Sequence, residues 1–440
     1  LHFPESSIIV LHNGKAVTFY FWRRTTMNRR DFLKSALTIT ALGTVSRLAA
    51  QAGLAKPASV PAETNPGKVT RRSYKNTALT LPVLGFGMMR LPRKGNGIDY
   101  ATAQKMVDMA MASGANYFDT AWPYHGGESE TFVGKALRKY PRDSYLLASK
   151  LPIWAIKSEA DAERIFKEQL RKCNTDYFDF YLLHALNGSR WKTVERFKLF
   201  EFAERMRKAG KIRKIGFSFH DSPEQLRTIA AAKPWDFALL QINYFDWYNY
   251  RSKEQYEIVT KLGIPILVME PIRGGSLATL NPAATKILKT ANPKASTASW
   301  ALRYAASLPN VLCVLSGMST PAHMEDNLRT MSPFRPLTAT ERMTLDSALA
   351  AYRKTDSVPC TVCEYCIPCP VGVEIPKVFA AYNQYKISGD RAALNKTLAS
   401  LPEDGGPSAC ISCGVCLKKC PQKINIPARL KQIAAELKKS

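Results

Sequence analysis

From Leu81 onward, short runs of apolar and β-branched residues alternate with longer stretches whose apolar positions recur every three or four residues. The first pattern reads as buried strands and the second as amphipathic helices. The predicted strands are Leu81–Gly87, Asn116–Thr120, Tyr145–Ser149, Phe178–Leu183, Lys214–Ser218, Ala238–Asn243, Ile264–Met269 and Val311–Leu315. The helices predicted between them include Thr102–Ala112, Asp161–Lys172, Val194–Ala209 and Thr297–Ala306. Eight such units in regular alternation predict an α/β chain folded as a (β/α)8 TIM barrel. An open doubly wound sheet is the competing arrangement, but its first strand normally runs into a Gly-rich phosphate loop and a helix. Here the first strand ends in Gly85-Phe86-Gly87-Met88-Met89-Arg90 with no helix at once, which favours the barrel. Further on, Ile375–Tyr385 and Arg391–Leu401 predict short helices, and Gly405-Gly406-Pro407 a loop.

Enzymes built on this barrel carry their chemistry at the C-terminal ends of the strands. The second strand ends in Asp119-Thr120-Ala121-Trp122-Pro123-Tyr124-His125, the third in Ser149-Lys150, the fourth in Leu183-His184 and the fifth in Ser218-Phe219-His220. An Asp, a Tyr, a Lys and a His thus converge on one mouth. A single strand-end His is more often structural than not. Four complementary types on neighbouring strands point instead to proton transfer.

Ten cysteines are present. Cys173 and Cys313 fall in the barrel region and read as buried, inert thiols. The other eight form two motifs, Cys360-x-x-Cys363-x-x-Cys366-x-x-Cys369-Pro370 and Cys410-x-x-Cys413-x-x-Cys416-x-x-x-Cys420-Pro421. The second has the bacterial ferredoxin spacing, and the first is one residue tighter. A cubane cluster takes four thiolates, three from one tight turn and the fourth from the opposite motif. The expected ligand sets are Cys360, Cys363, Cys366 and Cys420 for one [4Fe-4S] cluster, and Cys410, Cys413, Cys416 and Cys369 for the other. Zinc is a competing occupant, although its sites rarely use such triplets ending in Cys-Pro. Disulfides compete as well, but cysteines three apart are poorly placed for an unstrained bridge.

The motifs Phe118-Asp119-Thr120-Ala121, Tyr124, Ala148-Ser149-Lys150 and Leu182-Leu183-His184 resemble the catalytic tetrad of the aldo/keto reductases. The likeness runs from about Leu79 to Leu345. The barrel with its cysteine-rich tail resembles a subgroup of that family carrying a small C-terminal helical, ferredoxin-like domain with two clusters. Phe217-Ser218-Phe219-His220 and Met269-Glu270-Pro271-Ile272-Arg273-Gly274-Gly275 fit the same subgroup. The resemblance implies a nicotinamide dinucleotide, NADP(H) or NAD(H), and a small carbonyl or alcohol substrate. It implies Tyr124 as general acid toward the carbonyl oxygen and His184 as the group orienting that oxygen. Lys150 is expected to lower the phenol's pKa from its ordinary value near 10, with Asp119 holding the ammonium. Ser218 and Gln241 are implied at the nicotinamide amide, Met269 beside its ring, and Pro271, Arg273, Gly274 and Gly275 at the pyrophosphate. Ser316, Gly317, Met318 and Asn327 are implied at the adenosine end. Three positions depart from the family pattern. Phe219 replaces an asparagine that helps hold the carboxamide, Met269 replaces a stacking aromatic, and His323 replaces an arginine that favours NADP.

Near the N-terminus, Met27-Asn28-Arg29-Arg30-Asp31-Phe32-Leu33-Lys34 reads as a twin-arginine export signal. A moderately apolar stretch, Ser35 to Ala50, follows and is too short to span a bilayer; Ala50-Gln51-Ala52 offers a small-residue cleavage site. The expected organisation is an upstream extension (1–26), the signal (27–52), a linker (53–70), the barrel (71–350) and the cluster domain (351–440). Export by the twin-arginine machinery to the periplasm is expected after folding and cofactor insertion in the cytoplasm. The formal charge of +26 raises a nucleic-acid reading. The basic residues are scattered over helix surfaces without a nucleic-acid motif, so a solvated basic surface is expected instead. The functional expectation is an oxidoreductase moving hydride between nicotinamide and a carbonyl or alcohol, with electrons relayed through the clusters to a redox partner protein. The alternative is an iron-sulfur electron-transfer protein whose barrel binds a ligand without turnover.

Overall fold

The computed structural model describes residues 67–75 and 77–438, together with the backbone of three short strands at Ile8–His12, Lys15–Phe19 and Ala62–Glu63. The export segment 27–52 lies outside the described residues. The chain divides into two compact units, Leu1–Lys56 and Pro57–Ser440. The described part of the first is an antiparallel hairpin that pairs Ile8 with Phe19 and His12 with Lys15.

In the second unit, eight parallel strands close into a ring. They are β1 (Leu84–Gly87), β2 (Tyr117–Asp119), β3 (Leu146–Leu151), β4 (Phe178–Leu186), β5 (Ile212–Phe219), β6 (Phe237–Gln241), β7 (Ile266–Met269) and β8 (Val311–Ser316). Closure comes from β1, which pairs with β8 on one side and β2 on the other. All eight predicted strands are present, with no end displaced by more than three residues.

Side chains of a strand alternate between its two faces. On one face Tyr117, Leu146, Ala148, Phe180, Leu182, Phe237, Leu239, Leu267, Cys313 and Leu315 form a single buried cluster, the filling of the barrel. Gly216 of β5 shares that face, and a Cβ there would stand 2.6 Å from the Phe237 ring. The opposite faces, including Phe118, Leu147, Tyr181, Leu183, Phe217, Leu240 and Val268, pack with the surrounding helices. One step further along the inner faces, the same alternation brings Asp119, Lys150, His184, Ser218, Gln241 and Met269 to the C-terminal rim.

Helix starts follow the sequence closely. Ser158 and Asp161 form a reciprocal capping box before Glu159–Cys173, and Ser222, Asn281 and Thr320 cap helices that begin with Pro223, Pro282 and Pro321. The single helix expected over Val194–Ala209 is instead two, Gly188–Arg196 and Leu199–Lys208. Lys198 breaks it with a left-handed φ of 49°. Beyond the barrel, helices Ile375–Ser388, Arg391–Ala399 and Ile426–Lys438 surround a separate small core of Val373, Ile375, Phe379, Tyr382, Leu430 and Ile433. Cys366 belongs to this core, and Cys360, Cys369, Cys410, Cys416 and Cys420 pack against its edge. Among the described residues, no helix is long and apolar enough to cross a membrane.

Candidate active site

Asp119 closes β2, Lys150 and His184 lie near the ends of β3 and β4, and Tyr124 opens a short turn, Tyr124–Gly127, after Pro123. Lys150 Nζ donates to Asp119 Oδ1 at 2.5 Å, to the Thr120 carbonyl at 2.8 Å and to Tyr124 Oη at 3.2 Å. These three bonds use every hydrogen of the ammonium. The phenol oxygen accepts one of them, which leaves its own hydrogen for the cavity. Lys150 and Asp119 are both buried, so each charged form is disfavoured by lost water and stabilised by the other.

The phenol is not acidified. Burial pushes Tyr124 well above its ordinary pKa, the carboxylates of Asp119 and Glu270 add to the rise, and Arg90 opposes it. The expectation of a lowered value fails because excluding water costs a phenolate more than one shared ammonium returns. His184 moves the other way. Burial first, then the positive charges of Lys150 and Arg190 and the neighbouring His220, push its pKa well down, so the ring is neutral. It stands edge-on to Tyr124, with ring centroids 6.2 Å apart.

A cavity of about 390 Å³ opens over these four residues and runs along the rim. Of the residues expected at the dinucleotide, Ser218, Met269, Pro271, Gly274, Gly275, Ser316, Gly317, Met318 and Asn327 line it. Asn327 Nδ2 donates to Ser316 Oγ at 2.7 Å, and Ser218 Oγ accepts from the Ala185 amide at 2.7 Å. His323 and Asp326 line the same end as Ser316 and Met318. The groove therefore offers an extended run of hydroxyl, amide and backbone groups beside the tetrad, which fits a dinucleotide. Two expected contacts are not brought to the cavity. Arg273 is buried against Asp246, with Nε 3.0 Å from Oδ1, and donates to the Pro359 carbonyl at 3.2 Å. Gln241 is buried behind Gln422.

The surprise lies in the tail. Thr361, Cys363, Tyr365, Pro421 and Gln422 line the cavity together with the tetrad. Arg90 fastens this roof by donating to the Thr361 carbonyl at 2.6 Å and the Val362 carbonyl at 3.3 Å. Tyr365 Oη stands 3.5 Å from His184 Nε2. Cys363 was expected as a cluster ligand but not at the cavity, and no sequence signal pointed to the other four, because their place is set by docking between segments 86 to 271 residues apart. Arg90 and Glu270, 3.9 Å from each other, lie three residues after β1 and directly after β7, where a strand-end search could have found them.

The eight tail thiols fall into two sets. Burial raises Cys363 and Cys366 to about 12 and Cys360 to about 11, with sulfur neighbours drawn from Cys360, Cys363 and Cys420 adding to it. Cys416 is raised by burial and then by Cys410, Cys413 and Cys369. These neighbours are the ones that the expected crossed sets would bring together. Cys369, Cys410, Cys413 and Cys416 share a small apolar-walled cavity with Ile375, Pro427 and Leu430, and Cys366 of the first set borders it too. Among the described residues, no three His, Cys, Asp or Glu side chains converge as the ligands of a single ion do. Thiols gathered in fours rather than in single-ion geometry suit polynuclear clusters, whose iron would take the place of the thiol protons.

Comparison with known proteins agrees with both halves. Residues 83–350 match the aldo/keto reductase family and residues 359–424 match the 4Fe-4S dicluster domain. The chain is 26% identical over 294 residues to L-galactose dehydrogenase of Arabidopsis thaliana, covering 61% of this chain and 90% of that protein. It also resembles the holo form of an aldo-keto reductase from Bacillus halodurans, with 26% identity, a TM-score of 0.52, and coverage of 63% of this chain and 95% of that one. An aldo/keto reductase from Klebsiella pneumoniae in complex with NADP and acetate shares the fold, with 22% identity, a TM-score of 0.51 and coverage of 62% and 92%.

Proposed function

Because this chain belongs to the aldo/keto reductase family of NAD(P)-dependent oxidoreductases and carries a 4Fe-4S dicluster domain, we propose that it moves hydride between a bound nicotinamide dinucleotide and a small carbonyl or alcohol, with single electrons passing through the two clusters. The observation that carries this reading is the Lys150 ammonium held at once by Asp119, Thr120 and Tyr124 in a cavity continuous with the dinucleotide groove. The dinucleotide, when bound, supplies or takes the hydride. Around it, Tyr124 gives its proton to the carbonyl oxygen, Lys150 steadies the oxygen left behind, and neutral His184 donates a hydrogen bond that orients the substrate.

The electron relay is supported by the position of the first thiol set, whose Cys363 borders the cavity. The second set reaches the surface at Cys413, amid the exposed apolar side chains of Ile411, Val415 and Leu417. Oxidising one alcohol releases two electrons and two protons: two one-electron clusters would take the electrons, the hydroxyl proton would pass to the Tyr124 phenolate, and the proton carried with the hydride would leave to solvent. Export by the twin-arginine route, proposed from Arg29-Arg30 and the apolar stretch after them, fits a protein that acquires clusters before transport. An exported enzyme of this kind needs its dinucleotide held tightly and recycled in place, and the tail roofing the groove supports such retention.

The test is Tyr124→Phe in protein isolated without oxygen. Carbonyl reduction is expected to fall roughly 10²–10⁴-fold, the usual worth of a positioned acid, while iron and nucleotide content stay at the wild-type level. Undiminished turnover would favour an electron-transfer protein whose barrel merely binds a ligand.

A further inference from the structure

Gln241 has no hydrogen left to offer a ligand. Its Nε2 donates to Asp246 Oδ2 at 2.8 Å and to Gln422 Oε1 at 3.1 Å, and its Oε1 accepts from Gln422 Nε2 at 3.0 Å. The two side chains form a reciprocal amide pair, and Gln422 is the member that borders the cavity. Inside that pair Gln422 keeps one amide hydrogen and one oxygen lone pair unspent, which is the complement of a primary carboxamide. Phe219, buried and apolar at the end of β5, supplies no amide here.

The segment bearing Gln422 is fastened to the barrel on both sides. Tyr250 Oη donates to the Pro421 carbonyl at 3.4 Å, and Lys423 Nζ meets Asp221 Oδ1 at 3.1 Å. Cys420, two residues earlier, belongs to the first thiol set. The tetrad occupies the ends of β2 to β4, so a ring facing Tyr124 and His184 lies across the mouth toward Met269 and Gln422.

We propose that Gln422, delivered by the cluster domain and held in place by Gln241, binds the carboxamide of the nicotinamide ring. The dinucleotide site is then a joint product of barrel and tail, with Gln241 a positioning residue behind the contact. The inference rests on the oxidoreductase reading above.

The experiment uses holoenzyme prepared without oxygen and titrated with NADH and with its 3-acetylpyridine analogue, whose methyl ketone lacks the amide nitrogen, by quenching of tryptophan fluorescence. Wild-type protein is expected to prefer NADH. Gln422→Ala and the length-preserving Gln422→Met are expected to weaken NADH about tenfold, the worth of one or two neutral hydrogen bonds, and to bring the two dinucleotides to nearly equal affinity at unchanged iron content. Gln241→Met probes the same pair from the barrel side, without altering the tail, and is expected to erode the preference too. Tighter NADH binding in the Gln422 variants, as for a plug removed, would overturn the proposal. So would weakening that is equal for both dinucleotides. A wild-type holoenzyme that binds neither dinucleotide would instead sink the oxidoreductase reading itself.

Discussion

Lys150 shows how much a single buried group can organise. Its ammonium has three hydrogens and three acceptors, so replacing it would strand Asp119 and leave Tyr124 without its fixed neighbour. Because Tyr124 is held well above its ordinary pKa by burial, it stays protonated through the neutral range, the form that donates. Carbonyl reduction is therefore expected to be flat between about pH 6 and pH 9, whereas alcohol oxidation, which needs the phenolate, should climb roughly tenfold per pH unit. A pH–rate profile in each direction decides this, and an oxidation plateau below pH 8 would contradict it. The adenosine end permits a second residue-level expectation. A 2′-phosphate is best held by a guanidinium fork, but His323 and the Asp326 carboxylate line the groove there, and Arg329 is paired with Asp326 at 3.0 Å. NADH is thus expected to bind at least about tenfold more tightly than NADPH, as competitive titration would read. The tetrad was legible in the sequence because Asp119, Lys150 and His184 sit at or near the ends of apolar runs and Tyr124 follows the first of them by five residues. The phenol's altered acidity was not, because it depends on how completely water is excluded.

At the scale of elements, strands were read more faithfully than helix interruptions. A strand's alternation is a local property, but the break at Lys198 and the irregular register between β4 and β5 near Ala185, with φ of 53°, answer to tertiary packing. The Ala185 amide donates to Ser218 Oγ, so this irregularity joins two neighbouring strands at the rim. The loop after β7 carries the clearest test. Gly274 has φ of +65°, and a Cβ on it would stand 2.1 Å from the Thr361 carbonyl of the tail. Gly274→Ala is expected to push the segment around Pro359 to Cys363 off the barrel, at a cost of about 1–3 kcal/mol to that docking. Limited proteolysis should then cut this segment faster, with little change in the barrel's own unfolding midpoint. Unaltered cleavage would mean that the tail does not rest on this loop.

For the whole molecule, the main consequence is that the cluster domain is part of the reaction chamber. Arg90, Arg273 and Gln241 of the barrel all bind tail groups, and Cys363 and Tyr365 line the cavity. Whatever holds the first thiol set therefore also holds the roof. By linkage, a ligand under the roof must stabilise the clusters as much as the clusters stabilise the ligand. Saturating NADH is expected to slow iron removal by a chelator about fivefold or more, read as the loss of cluster absorbance under anaerobic conditions. Identical rates with and without nucleotide would show that barrel and tail act independently.

Periodicity, strand-end chemistry and cysteine spacing are local features, and they suffice to predict the barrel, the tetrad and the two cluster motifs. The crossed thiol sets are an expectation from motif spacing as well, since a cubane takes three ligands from one turn. What only the folded chain decided is the meeting of the two halves: Gln422 over Gln241, Tyr365 beside His184, and Arg273 donating to the Pro359 carbonyl of the tail. Such contacts join residues far apart in the chain, and they depend on the angle at which one core settles on another. No pattern along a single segment encodes that angle, so the residues that roof the site became visible only in three dimensions.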